Sequence, residues 1–68
     1  MTDIIRIGTI YASEMKENYS NNYTHIIISY DVKTQETIAQ LYSNWNSSYN
    51  QTIKTKHVDP LDIADRYR

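Results

Sequence analysis

Sixty-eight residues, 40% of them hydrophobic and 22% charged, with a formal net charge of −1, describe one small folded domain, 1–68, with no room for a second. This balance excludes a disordered chain, and the absence of cysteine excludes disulfides and thiolate zinc sites. No apolar run reaches the length of a membrane span and no leader-like apolar stretch opens the chain, so a cytoplasmic protein is expected.

Ten Ile, seven Tyr and seven Thr sit beside two Leu, one Gly and no Phe. These are residues that fit pleated, half-buried surfaces. A domain of this size buries only about 60% of the surface its unfolded chain exposes. Without disulfides or a metal motif, self-association is the remaining common route to stability, and a homo-oligomer, dimer or higher, is expected.

Asp3 to Ala12 combines β-branched residues with period-two alternation, which predicts a strand. Gly8 inside it predicts a bulge or a close backbone approach. Ser13 to Asn22 is polar and is compatible with a hairpin arm or a helical turn, and Asn21-Asn22 is the better turn signal. Tyr23 to Val32 is the clearest strand, with Thr24, Ile26, Ile28 and Tyr30 on one face and His25, Ile27 and Ser29 on the other.

From Thr34 the period changes. Ile38, Leu41, Tyr42, Trp45 and Tyr49 stand at i, i+3, i+4, i+7 and i+11, which predicts a helix capped by Thr34 and ending between Trp45 and Ser48. Gln51 to Val58 alternates again and predicts a short edge strand, with Lys54 and Lys56 on one face and Ile53, Thr55 and His57 on the other. Asp59-Pro60 starts a final helix, with Asp as N-cap and Pro at the first helical position, and Leu61, Ala64 and Tyr67 form its apolar stripe. The expected architecture is α+β in the order ββαβα. A small antiparallel sheet, a hairpin plus a third short strand, carries one helix across a face and ends in a short C-terminal helix.

Catalytic patterns are lacking. His25 and His57 have no metal-ligand spacing, and Asp59, Asp62 and Asp65 read as a cap and two solvated acids on the last helix. No nucleophile motif accompanies the thirteen Ser and Thr, and one glycine cannot build a phosphate cradle. Four Asn-x-Ser/Thr sequons, at Asn18, Asn22, Asn46 and Asn50, follow from a composition rich in those residues. No enzyme, cofactor or metal is expected.

The remaining signal is surplus apolar and aromatic area. Trp45, Tyr49 and Tyr42 follow at helical spacing among small polar residues, a composition typical of interface anchors. Tyr23 extends such a surface, and Ile27 faces away from the predicted helix, on a sheet face with nothing to cover it. These five residues are the expected partner-binding set for a non-enzymatic protein that occupies another protein's surface as inhibitor or adaptor. Its size and plainness suit an accessory protein of a phage or mobile element acting against a host enzyme or defence system. The alternative is an oligomer that binds a nucleotide or single-stranded nucleic acid between subunits through Lys54, Lys56 and His57, although a net charge of −1 argues against a general phosphate-binding surface.

Overall fold

The computed structural model describes residues 3–43 and 49–68. The chain is an α+β domain built on a four-stranded antiparallel sheet in the order β1-β2-β3-β4, with β1 Ile4–Tyr11, β2 His25–Asp31, β3 Glu36–Tyr42 and β4 Tyr49–Lys56. A short helix, α1, spans Glu17–Ser20 after a single turn of 3-10 helix at Ala12–Glu14, and the C-terminal helix, α2, spans Pro60–Tyr67. The class, the small antiparallel sheet and the closing helix follow the sequence pattern. A bulge shifts the β1–β2 register between Arg6 and Gly8, at the position the lone glycine marks.

One segment departs from expectation. Glu36–Tyr42 is a strand, not part of a helix capped by Thr34, and it pairs with β2 through Ser29↔Ile38 and with β4 through Ile38↔Lys54. The physical reason is burial on both faces. Thr37, Ile38, Ala39 and Leu41 are all buried, so this central strand shows no alternation, and the spacing of Ile38, Leu41 and Tyr42 imitates a helical stripe. The turn before it is also disguised. The Asp31 carboxylate accepts the backbone N–H groups of Lys33 (3.0 Å) and Thr34 (3.3 Å), and Gln35 takes a left-handed conformation with φ 61°. The result is a four-residue hairpin loop without glycine, asparagine or proline. The second half of the expected helix, Asn44 to Ser48, lies outside the described residues.

The cover of the sheet therefore comes from elsewhere. Ile63, Ala64 and Tyr67 of α2 pack on Ile10, Ile26, Ile28, Ala39 and Leu41, with Met15, Tyr19, Tyr23, Ile53 and Val58 around them. Leu61, expected in the buried stripe, instead stands 63% exposed at the sheet's margin. The polar segment after β1 is tied to this layer: Lys16 N–H donates to the Tyr67 carbonyl at 2.8 Å, and the rings of Tyr19 and Tyr67 meet edge to face at 4.9 Å. Burial and the neighbouring Tyr19 hydroxyl raise the Tyr67 phenol above its ordinary pKa. Asp59 caps α2 through its carboxylate, which accepts the Leu61 N–H at 2.8 Å, with Pro60 at the first helical position. The expected Gln51 to Val58 strand is β4; it neighbours β3, and His57 lies beyond its end in a left-handed bend with φ 59°.

Candidate functional site: the two edges and two faces of the sheet

An open sheet has two edges, and here they differ. β4 carries Lys54 and Lys56, both exposed, the usual device against edge-to-edge pairing. β1 carries Ile4, Ile5 and Ile7, all exposed, with Ile5 at 54%. It contains no lysine and no proline. Arg6 is its only charge.

The backbone of β1 has a defined direction. Val32 N–H donates to the Asp3 carbonyl at 3.0 Å, and Ala12 N–H donates to the Thr24 carbonyl at 3.1 Å, which fixes the two ends of the β1–β2 ladder. Alternate residues turn their amides toward β2 and the intervening ones turn them outward. With the register shift between Arg6 and Gly8, the outward set includes Arg6 and Thr9. The Tyr11 N–H, at the far end, is taken by the Glu14 carboxylate at 3.0 Å.

Beside this edge, on the helix side, lies a recess of ≈ 110 Å³ lined by residues of β1 and α2, among them Ile7, Gly8, Leu61, Ala64 and Arg68. A wider, more open cleft of ≈ 440 Å³ lies at the start of α2, between Tyr30, Gln35 and the His57–Pro60 turn. The left-handed Gln35 and His57 meet there, His57 N–H donating to the Gln35 carbonyl at 3.1 Å. The acid in this cleft, Asp59, is already engaged as the helix cap. Among the described residues no three His, Asp or Glu side chains are placed to hold a metal ion.

The expected partner-binding residues fall in different places. Ile27 is half-buried on the face opposite α2, between Thr9 and Gln40 in the register. Tyr42 is on the same face and stacks on His25, whose register partners are Tyr11 and Tyr42. Tyr23 packs on the other side, against the core under α2. Tyr49 opens β4 and pairs with Tyr42, and Trp45 lies outside the described residues. Of the anion-binding alternative, Lys54 and Lys56 belong to the face opposite α2, whereas His57 lines the cleft at the start of α2, so the three do not form one patch. His25 and His57 stand at opposite ends of the sheet, which rules out their meeting across it.

The sequence pattern places Leu61 in the buried stripe of the last helix and does not single out Ile5, Ile7 or the outward amides of β1 as a surface. The signal was present: a strand with isoleucine on both faces and no lysine or proline is an unprotected edge if it falls at a sheet's margin. No protein-family model, curated protein or solved structure matches the chain. No described helix is long and apolar enough to cross a membrane.

Proposed function

We infer that this chain is a non-enzymatic binding module that takes an extended segment of another protein as a fifth strand along β1, and acts by occupying that segment as an inhibitor or adaptor. The observation that carries the reading is the asymmetry of the two edges: β4 is guarded by lysines, while β1 offers exposed isoleucines and outward amides at Arg6 and Thr9. In strand addition the main-chain hydrogen bonds supply affinity, and recesses for alternate side chains supply specificity. Both are provided along β1, by its backbone and by the recess against α2. The same edge serves for self-association, since a second β1 is also an extended segment. A chain without cysteine needs no oxidising compartment, in keeping with action in the cytoplasm.

The test is selection of a displayed library of random dodecapeptides on the immobilised protein, followed by titration of ¹⁵N-labelled protein with the recovered peptides. Shifts and slowed exchange of the Arg6 and Thr9 amides support the reading, as does loss of binding in a folded Thr9→Pro variant, which removes one outward donor. Shifts confined to the Ile27 face or to the His57 cleft overturn it, and so does a library that yields no binder.

A further inference from the structure

Gly8 is the only glycine in the chain, and its own conformation does not require one. It has no positive φ, and a Cβ built on it meets no atom within 4 Å. Glycine in a strand interior marks a bulge, a bend or a place where another group approaches closely; Gly8 sits at the bulge, but a bulge without positive φ admits other residues, which leaves close approach as a second role. The space above Gly8 is the recess beside α2. Ile28 is its cross-strand neighbour, and Leu61, Ala64 and Arg68 wall it from the helix.

We propose that Gly8 is the floor of a notch that receives one branched aliphatic side chain from a strand added to β1, and that Arg6 selects an acidic residue next to that aliphatic one. The proposal rests on the edge-strand reading above and names the chemistry of its ligand. The size fits. A dry cavity of about 150 Å³ takes a benzene, so a recess of ≈ 110 Å³ suits a valine or an isoleucine side chain. The alternation fits as well. In an added strand the residue over the notch points to the helix side, and its neighbours in sequence point to the opposite face. Arg6 belongs to that opposite face, in a row that continues through Ser29 and Ile38 to Lys54. Arg6 is the only charge of β1 and stands at the end of this row where the incoming strand docks, so a carboxylate there meets a cation. Arg68, at the notch rim, lies on the helix side with Asp65 3.7 Å from it, and takes no part in this choice.

The experiment uses synthetic acetylated heptapeptides of threonine with a central valine–aspartate pair, titrated into the whole chain and followed by the Arg6 and Thr9 amides. Replacing the valine by alanine is expected to weaken binding about tenfold, the worth of about two buried methyl groups. Gly8→Val is expected to leave the unfolding midpoint unchanged or raised and to abolish the preference for valine. Gly8→Ala, a smaller plug, reports the same if the larger one disturbs the strand. Arg6→Glu is expected to weaken the aspartate peptide about three- to fivefold and to favour a lysine analogue instead. Peptides that shift the β1 amides with equal affinity whatever stands at the valine and aspartate positions overturn the notch and leave the edge reading in place. Peptides that leave the Arg6 and Thr9 amides unmoved overturn both.

Discussion

The imidazole of His25 lies flat on the ring of Tyr42, with centroids 4.6 Å apart and planes 8° from parallel. His25 opens β2, is buried, and has Thr24 Oγ1 2.8 Å from its Nδ1. Burial lowers its pKa below the ordinary 6.5, because a charged imidazole loses hydration there. The unfolded chain therefore takes up a proton near pH 6.5 that the folded chain resists. Stability from this group is complete above pH 6.5 and declines as pH falls through 6.5 toward the lowered folded value. Urea midpoints are expected to agree at pH 7.5 and 8 and to drop by pH 5. The His25→Phe variant keeps the stack and removes the proton; an undiminished drop between pH 7 and 5.5 in that variant would assign the effect elsewhere.

Thr37 ties the sheet to the segment that leads into α2. Its side chain is 1% exposed, and its hydroxyl donates to the Val58 carbonyl at 2.6 Å. Thr37→Val preserves shape and strands that carbonyl, at an expected cost of about 1–3 kcal/mol. Thr37→Ser keeps the donor and loses only a methyl group, at about 1 kcal/mol. Chemical denaturation of the two variants separates the hydrogen bond from the packing, and a Thr37→Val variant as stable as the parent would show that the bond contributes nothing.

Removing the α2 cap tests how far the helix depends on it. Asp59→Ala deletes the acceptor of the Leu61 N–H, with an expected loss of about 1 kcal/mol, and Asp59→Asn is expected to recover most of it. Because α2 is the lid over Ile26 and Ile28, the loss should appear as a lower midpoint of one cooperative transition, read by far-ultraviolet circular dichroism and Tyr absorbance together. A separate early transition of the helix alone would contradict its place in the common core.

What could be read from the sequence follows how each element is buried. β1 and β2 are marked by their runs of β-branched residues without a helical stripe, and Asp59-Pro60 marks α2 by local chemistry alone. β3 could not be read this way. It is enclosed between β2 and β4 and buried on both faces, so Thr37-Ile38-Ala39 gives no period, and the nearby Leu41 and Tyr42 complete a false helical stripe. The loop before it is held by the Asp31 side chain, an ordinary turn former, but its left-handed residue is Gln35, which does not mark a turn in sequence. The site was obscured for a related reason. Which strand is an edge depends on the strand order, and with β3 read as a helix the order of the three remaining strands stays open, so β1 can fall at the centre or at an edge.

The expected self-association, if measured, separates the two apolar surfaces. The face with Ile27 is half-buried and lined by polar neighbours, Thr9 and Gln40, whereas Ile5 is more than half exposed on an edge with backbone groups to share. A lysine at position 5 places a charge where a second strand would dock but removes no core contact, so Ile5→Lys is expected to change stability by no more than about 0.5 kcal/mol. Ile28→Ala, in the core beneath α2, is expected to cost about 2–5 kcal/mol, much of what a domain this small possesses. Sedimentation velocity over a range of protein concentrations should then show association weakened by Ile5→Lys and unaffected by Ile27→Lys. The reverse pattern would place the contact on the open sheet face, and β1 would need another explanation for its bare isoleucines.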